Sequence, residues 1–585
     1  MKSKIVLVFL TLILLSGCID DTLDRKPLNM VSDADIWVSQ TMIDIYLVNL
    51  YNNIPLGSAV PFLADLTDEA TYRSNPAISN TGSNALALNT GMYTWIRKAN
   101  YFLQSIETAT ISETMIKQYA AECRFIRAYY YFDLVKKYGG MPIIKEVQVF
   151  DNNLDSLQVP RNTEDEVYDF ILKELDAAIV DLPVSWDANN ANRATKTVAQ
   201  ALKSRAMLYA GSIAKYGTVQ LNGLIGIPAS KATAYFTESM NASDSVMKST
   251  KYSLYDISYN PETKVGDPSK NYQNIFLDEN NKEVIFQKAF SLPDKPNQWD
   301  WDFNNSPAAG AAIAPLLDLV ESYENIDGTP GILNVEGKEF DSPDSLFKNK
   351  DPRFDASIFR SGSWFIDRKL QIWAGIYDVV DNNKLYGTVN VPFPKDIKTL
   401  QVGRDGPYPL GGTTKSGFYI KKYINTTTLI NSQFISDQNY IDIRYAEILL
   451  NYAEAAVEMG TNLDQGLVAM NLVRARAGIK KLILSELTIP RVRNERKVEL
   501  AFEDKRFWDI RRWRIGTTLF NNTFMRGLYP YLKYDGTSYK YIFKVWSNSA
   551  PLDDGKPRVW EEKDYYSNLS GYISTNNNIR NNPGW

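Results

Sequence analysis

The chain lacks histidine and is poor in cysteine, and both absences limit its chemistry. None of the 585 residues is histidine, which excludes Ser-His-Asp and Cys-His catalysis, histidine-ligated zinc and imidazole-based pH switches. The only cysteines are Cys18 and Cys123. Cys123 falls among apolar helical positions, so we expect it to be buried as a small hydrophobe. Paired carboxylates, a Ser-Lys couple and an oxygen-ligated calcium site all remain open.

Long apolar runs are equally scarce, and the single one lies at the start of the chain. Lys2 and Lys4 precede an apolar run over 5–15, and Ser16-Gly17 then leads into Cys18. This pattern predicts a secretory signal peptide over 1–17, too short to cross a hydrocarbon layer of ~30 Å as a mature helix. A cysteine directly after Leu-Ser-Gly looks like a bacterial lipobox. We therefore expect cleavage before Cys18 and lipid on its sulfur; the alternative is an ordinary secreted protein.

The charge balance gives no bulk electrostatic reason to bind nucleic acid. Lys and Arg number 64 against 68 Asp and Glu, a formal net charge of -4. Aromatic residues are abundant, with 35 Tyr, 25 Phe and 12 Trp. They suit the CH faces of sugar rings, but they equally fill cores and pin long loops. Composition alone does not separate these two interpretations.

Hydrophobic periodicity predicts a mainly helical protein in which a loop-rich segment interrupts two helical parts. A polar tether over 18–29 precedes a single domain over 30–585, with a helical scaffold over about 30–255 and 436–515. Short alternating runs between Gly, Pro, Asn and Asp predict an irregular lobe with short strands over about 256–435. We expect an irregular tail over 516–585. The predicted helices are 118–137, one beginning at Thr163, 195–216, 236–248, 314–323, 440–459, 465–477 and 490–513.

Two of the helical pairs have the form of tetratricopeptide repeats. The pair over 440–477 has about the 34-residue length of that repeat, and its small residues lie where paired helices touch. The pair over 163–216 is longer but similar in kind. Neither matches the full repeat consensus, so we interpret them as degenerate.

At this point the chain resembles the SusD/RagB family of Bacteroidota outer-membrane lipoproteins, over nearly its whole length. Each motif alone is weak, but their number and order make the resemblance specific. The motifs are Ala64-Asp-Leu-Thr-Asp-Glu69, Ile96-Arg-Lys-Ala-Asn100, residues 121–135, Tyr138-Gly-Gly-Met-Pro-Ile143, Arg193-Ala-Thr-Lys196, Ser322-Tyr-Glu324 with Asp327-Gly328, Asp351-Pro-Arg-Phe354, residues 443–456, Val473-Arg-Ala-Arg476, residues 495–503 with Arg506, Asp509, Arg512 and Trp513, and Asn582-Pro-Gly-Trp585. Asp504 departs from the pattern, because the family often has glycine there.

The resemblance implies a fold of tetratricopeptide-like pairs that supports a loop-rich ligand lobe. It also implies a function without catalysis. Such proteins sit as a lid on a SusC-like TonB-dependent channel, capture an extracellular oligosaccharide or polysaccharide and pass it inward. In lipoproteins of this resemblance, acidic residues such as Asp20 and Asp21 accompany transfer to the outer face. The expected location is the outer membrane, facing outward and held by the lipid alone.

Two polar, aromatic segments are the candidate ligand contacts. Residues 65–73 hold Asp68, Tyr72 and Arg73, and residues 299–305 hold three aromatics with four hydrogen-bonding side chains. An exposed aromatic row stacks on ligands, whereas a buried one only pins a loop. By resemblance, Trp95 and Asn100 fall near a ligand-contacting stretch, although Asn100 belongs to a scaffold helix. Trp364 and Trp373 are looser candidates. The predicted contacts are Asp68, Tyr72, Arg73, Trp95, Asn100, Trp299, Trp301, Phe303 and Asn304.

Several alternatives stay open at the level of sequence. Mixed Arg and Glu at helical offsets in 490–513 favour ion pairs over a nucleic-acid patch, and Glu122, Arg124 and Arg127 favour a scaffold role. We expect no cofactor and no catalytic residue, while Asp294, Asp300, Asp302 and Asn304 leave a structural calcium ion open. An oligopeptide-binding member of the same family is the nearest alternative. A lipid-anchored glycoside hydrolase is more remote, because no spacing singles out a carboxylate pair.

Overall fold

The computed structural model describes residues 36–56, 63–72, 91–279, 281–297, 313–407, 413–425, 436–547, 552 and 555–585. Helices dominate these ranges, which confirms the mainly α fold. None of the described helices combines the length and the apolar character needed to cross a membrane. The helices are α1 Gln40–Asn52, α2 Met92–Ser105, α3 Glu113–Tyr138, α4 Glu164–Asp181, α5 Lys196–Tyr216, α6 Ala232–Lys248, α7 Pro268–Asn274, α8 Leu317–Ser322, α9 Asp344–Phe347, α10 Pro352–Ser357, α11 Tyr445–Met459, α12 Leu463–Arg476, α13 Ile489–Glu499, α14 Arg506–Arg512, α15 Gly516–Phe520 and α16 Ser570–Ile573.

Successive helices pack against each other to form the scaffold. Helix α2 packs on α3, α3 on α4, α4 on α5 and α5 on α6, while α11 packs on α6 as well as on α12. The first and last helical parts therefore share one scaffold. Its apolar core includes Cys123, which is fully buried as predicted, with its sulfur 3.3 Å from the carbonyl oxygen of Ala99.

Local sequence signals set the ends of several scaffold helices. Thr163 and Glu166 form the predicted capping box at the start of α4. Gly139 ends α3 with a φ of 74°, a backbone conformation that glycine adopts without strain. A Cβ on Gly140 would lie 2.0 Å from the carbonyl oxygen of Asn162, so only glycine fits there. The Gly-Gly pair thus ends one helix and lets the chain approach the next.

The helix predicted over 490–513 is in fact two helices, α13 and α14. The residues between them include Phe502 and Asp504, which have φ values of 63° and 58° and cannot continue a right-handed helix. Burial does not mark the break, because α13 is buried at every position from Glu495 to Glu499 and every residue of α14 is buried. Asp504 occupies the position where the family often has glycine, and its left-handed backbone gives the reason for that preference.

The strands are short and lie mainly in the predicted loop-rich lobe. They are β1 Ala70–Tyr72, β2 Tyr259–Asn260, β3 Val265–Gly266, β4 Val284–Lys288, β5 Ile313–Pro315, β6 Ile358–Phe359, β7 Trp364–Phe365, β8 Arg368–Lys369, β9 Ile376–Asp378, β10 Lys384–Tyr386, β11 Pro392–Phe393, β12 Asp396–Leu400, β13 Tyr419–Ile420, β14 Tyr440–Arg444, β15 Gly527–Tyr534 and β16 Tyr539–Trp546. One four-stranded sheet has the order β10-β9-β15-β16, and the other pairs are β1-β5, β2-β3, β4-β14, β6-β13, β7-β8 and β11-β12.

Three boundaries differ from the prediction. The tail is not irregular throughout, since β15 and β16, with eight residues each, form an antiparallel hairpin within the four-stranded sheet. Residues 440–444 extend along β4 before α11 begins, and Asp442, Ile443 and Arg444 are buried in succession, so both faces of this strand are covered. Likewise, residues 313–315 pair with β1, and only α8 within 314–323 is helical.

A network of buried ion pairs connects the scaffold to the lobe. Arg444 at the end of β14 contacts Glu283 at 2.7 Å, Glu499 at 2.6 Å and Glu503 at 2.7 Å. Arg353 in the lobe contacts the same Glu499 at 2.7 Å. The prediction that the charges of 490–513 form ion pairs is therefore confirmed. In the first helical part, Glu122 pairs with Arg193, and both Arg124 and Arg127 pair with Glu174.

Candidate ligand-binding surface

Strands β1 and β5 bring two distant segments side by side. They are antiparallel, with Tyr72 opposite Ile313. The chain after residue 72 and the chain before residue 313 therefore leave the ladder at the same end. In sequence, the first continues into Arg73, and the predicted segment 299–305 precedes the second. Arg73, Trp299, Trp301, Phe303 and Asn304 themselves lie outside the described residues.

The β1 ladder is fixed by backbone and core contacts. The backbone N–H of Leu316 donates to the carbonyl oxygen of Glu69 at 2.9 Å, and the Thr71 hydroxyl donates to the carbonyl oxygen of Leu552 at 3.3 Å. Tyr72 is half-buried, and its ring packs against the apolar core of the lobe. Tyr72 is thus the described residue best placed at the edge of the predicted site.

Asp68 is buried directly beneath this ladder. One carboxylate oxygen accepts from Arg506 Nε at 2.8 Å, and the other lies 2.7 Å from Lys497 Nζ. Burial opposes ionisation, yet the two cations hold the pKa of Asp68 well below its ordinary value. The structure thus gives Asp68 a scaffold role in place of the predicted ligand contact, because both of its oxygens are occupied by cations from α13 and α14.

Three further carboxyl groups lie buried near Asp68. Burial, followed by the charge of Asp68, raises the pKa of Glu69 to about 8. Burial and the neighbouring Asp504 raise the pKa of Asp65 to about 7. Burial also raises the pKa of Asp504, although Tyr440 donates to its carboxylate at 2.9 Å. The base of β1 therefore holds groups that exchange protons near neutral pH, in a chain without histidine.

Trp95 and Asn100 lie on α2, at a different place on the scaffold. Asn100 is fully buried; its amide nitrogen donates to the Ile144 carbonyl at 2.9 Å, and its oxygen accepts from Arg127 at 2.7 Å. These bonds give Asn100 a scaffold role in place of ligand contact, since no surface of its side chain is exposed. Trp95 is half-buried, with the Lys98 ammonium 4.0 Å from its ring centroid, so it keeps an accessible part.

A polar pocket of about 290 Å³ opens between α7, β4 and the chain that enters β14. Asn297 holds two of its lining residues, since its amide nitrogen donates to Ser436 Oγ at 3.1 Å and to the Gln438 carbonyl at 2.8 Å. The pocket combines aromatic rings with carboxyl and amide groups, as saccharide sites do. Its lining residues are Ile275, Phe276, Leu277, Asp278, Glu279, Val284, Gln287, Tyr423, Asn425, Ser436, Asp437, Gln438, Asn439 and Ile441.

The two looser candidates differ in exposure. Trp373 is buried, and its indole N–H donates to the Leu400 carbonyl at 3.1 Å, which gives it a structural role. Trp364 on β7 is 64% exposed. Among the tryptophans in the described ranges, only Trp364 exposes more than half of its surface.

Comparison with known proteins identifies the family. A family model described as the SusD family matches residues 282–585, and one described as "Starch-binding associating with outer membrane" matches residues 21–208. The first match alone covers more than half of the chain. The chain belongs to the SusD family. The second match supports an association of this SusD-family protein with the outer membrane.

Relatives and solved structures agree with this assignment. A SusD-like protein of Bacteroides ovatus is 24% identical over 535 residues, covering 88% of this chain and 83% of the relative. A crystal structure of a SusD-like protein from Bacteroides fragilis is 25% identical with a TM-score of 0.70, covering 96% of this chain and all of that one. A second B. fragilis structure, described as a SusD-like carbohydrate-binding protein, is 22% identical with a TM-score of 0.68, covering 93% and 100%. A structure described as a laminarin-binding SusD-like protein is 18% identical with a TM-score of 0.56, covering 94% and 100%.

The family motifs occupy the buried charge network. Arg353 of the Asp-Pro-Arg-Phe motif, Arg444 and Arg476 all converge on Glu499. Glu324 of the Ser-Tyr-Glu motif pairs with Arg474 at 3.0 Å. The motifs that identify this SusD-family chain thus hold the lobe on the scaffold. The pocket beside Ser436 has no such motif, and sequence reasoning missed it because its residues come from four separate segments.

A metal site is not evident in the described part of this SusD-family protein. Within the ranges given above, no group of three or more Asp, Glu or Cys side chains could hold a metal ion. Asp300, Asp302 and Asn304 lie outside those ranges, so the structural calcium ion stays a prediction.

Proposed function

We propose that this protein is a surface lipoprotein that binds an extracellular oligosaccharide or polysaccharide and delivers it to a SusC-like TonB-dependent channel, without catalysis. Membership of the SusD family carries this proposal. Two structures with the same fold are described as carbohydrate-binding and as laminarin-binding. Membrane attachment would rest on lipid at Cys18, and exposure to the cell exterior on Asp20 and Asp21.

The arrangement at β1 supports a binding function. Residues 65–73 include β1 and residues 299–305 precede β5 in sequence, and both segments are rich in aromatic and hydrogen-bonding side chains. Tyr72 and Trp95 are partly accessible at or near the scaffold edge, and the pocket beside Ser436 adds carboxyl and amide groups. Stacking with hydrogen bonds retains a sugar without any group that attacks it.

Calorimetry on the unlipidated chain, beginning at Asp20, tests the binding proposal. Neutral β-glucan, α-glucan and xylan oligosaccharides are titrated separately, and a panel of oligopeptides tests the peptide alternative. We expect micromolar binding of one saccharide class and about a thirtyfold loss in a Trp299→Ala/Trp301→Ala variant, since each of the two stacked rings contributes about 1 kcal/mol. The matched control is Trp37→Phe, which changes a buried tryptophan of the scaffold core. Binding of peptides but no saccharide would replace the proposal with the peptide-binding alternative.

Two further measurements test the absence of catalysis and the partner. Prolonged incubation with the bound saccharide should release no new reducing ends; their appearance would establish a hydrolase. In the native bacterium, affinity purification of the tagged lipoprotein should recover a large TonB-dependent channel. A Cys18→Ala variant should lose membrane attachment, because the lipid is its expected anchor. Recovery of that variant with the outer membrane in the absence of the channel would contradict the lipid anchor.

A further inference from the structure

A second cleft lies in the lobe, distinct from the β1–β5 ladder and from the pocket beside Ser436. Its volume is about 570 Å³, enough for one or two sugar units. Residues 341–344 form one wall, the β7–β8 hairpin forms the other, and Gln371 and Arg404 line it as well.

The hairpin places an exposed aromatic ring beside this cleft. Trp364 on β7 lies directly opposite Lys369 on β8, so their side chains share one face of the hairpin. Lys369 lines the cleft, and its ammonium lies 5.9 Å from the centroid of the Trp364 ring. A solvated tryptophan of this kind gives a sugar ring a stacking surface.

The charges of the cleft are unequally paired. Its two acidic residues are neutralised: Asp341 pairs with Lys540, and Asp344 pairs with Arg360 at 2.5 Å. By contrast, Lys369 and Arg404 are exposed and have no carboxylate partner among the residues that the structure describes. The cleft therefore carries an excess of positive charge on a chain of net charge -4.

The backbone next to Arg404 is held in position by the contacts of Asp405. The backbone N–H of Asp405 donates to the Gln371 carbonyl at 3.0 Å, and the Asp405 carboxylate accepts the N–H of Gln371 at 2.8 Å. The same carboxylate pairs with Arg368 of the hairpin at 2.5 Å. These bonds tie residues 404–405 to both the hairpin and the base of the cleft, so the guanidinium is presented from a fixed backbone.

We infer that this cleft is a second saccharide site, specific for a sugar unit that carries a carboxylate or a sulfate group. Trp364 stacks on the ring, while Lys369 and Arg404 bind the anionic group through charge-assisted hydrogen bonds. This inference rests on the proposed function, in that the protein takes up a glycan, and it names an acidic glycan as the preferred class.

The test compares three probes on the same unlipidated chain: oligogalacturonate, a sulfated carrageenan oligosaccharide and neutral laminarin oligosaccharides. In a Lys369→Ala/Arg404→Ala variant we expect the Kd for the uronate or the sulfated probe to rise about tenfold, with no change for a neutral one. Trp364→Ala should weaken the same probe, and Trp364→Phe should restore part of the affinity. Lys481→Ala removes an exposed lysine elsewhere and is the matched control, and thermal melting verifies the folding of every variant.

The outcomes separate the second site from the proposed function. Binding of a charged probe that weakens with added salt in the wild type, but hardly in the double variant, supports the second site. Equal affinities of the wild type and the double variant for every charged probe would overturn it, as would binding of neutral probes alone. In both of those cases the proposed function stands. Failure of every saccharide to bind the wild type would instead refute the proposed function.

Discussion

Replacing Glu69 by glutamine should change how stability depends on pH. Glu69 is buried beneath β1; its carboxylate lies 3.4 Å from the backbone N–H of Phe502 and close to the ionised Asp68. Burial and that neighbouring charge raise its pKa from 4.5 to about 8. The Glu69→Gln variant keeps the shape of the protonated side chain and cannot ionise, so it removes this titration.

The direction follows from the protons bound in each state. Between pH 4.5 and 8 the folded protein keeps a proton on Glu69 that the unfolded chain has released, so the free energy of unfolding falls as pH rises. A single such group lowers the free energy of unfolding by about 1.4 kcal/mol for each pH unit. From pH 5.5 to 7.5 the free energy of unfolding of the wild type should therefore fall by about 2.5 kcal/mol more than that of the variant. This difference corresponds to about 2 °C in Tm for a chain of this length.

Calorimetric melting of both proteins from pH 5 to 8, at constant ionic strength, measures this difference. The Tm of the variant should depend less on pH, and it should rise relative to the Tm of the wild type as pH increases. Glu562→Gln, which alters an exposed carboxyl group, is the control and should follow the wild type. Parallel curves for the wild type and Glu69→Gln would refute the reasoning, because they would mean that Glu69 is ionised in the folded protein throughout.

Three further predictions concern the scaffold. Arg444→Met leaves three buried carboxylates without their shared cation and should lower the free energy of unfolding by about 3–5 kcal/mol in urea titrations, whereas the half-exposed Arg526→Met should cost under about 1 kcal/mol. Thr163→Ala removes the α4 capping box and should cost about 1 kcal/mol, which Thr163→Ser should largely restore in the same titrations. Asp504→Asn keeps an acceptor for Tyr440 and tolerates the left-handed backbone. Because burial raises the pKa of Asp504 and asparagine cannot ionise, this variant should raise Tm more at pH 8 than at pH 5. An equal rise at both pH values would contradict the raised pKa.

Much of the fold could be predicted because helical periodicity and caps are local signals. The helix starting after Thr163 and the helix over 195–216 agree closely with α4 and α5. The break between α13 and α14 could not be read from periodicity, since Asp504 takes a conformation more common for glycine. The β15–β16 hairpin was missed because β15 is buried on both faces over its first six residues and β16 mixes lysines with aromatic residues, so neither strand shows a clear polar–apolar alternation.

The candidate site was less predictable because burial depends on distant parts of the chain. Asp68 and Asn100 are polar residues in motifs, and nothing near them in sequence reveals their buried partners. Arg506 donates to Asp68, and Arg127 donates to Asn100. Trp364 and Trp373 are only nine positions apart, yet one is exposed and the other buried. The absence of histidine excludes imidazole chemistry, but the sequence gives no sign that burial raises the pKa of Asp65 to about 7 and that of Glu69 to about 8.

The buried charge network also bears on how such a protein could acquire a new cargo. The ions that join lobe and scaffold meet at Glu499, whereas the two predicted ligand segments include β1 and precede β5 in sequence. Related proteins could therefore exchange residues 73–90 and 298–312, and the ion pairs at Glu499 would stay intact. With such exchanges, one scaffold would serve as the basis of sensors for different sugars.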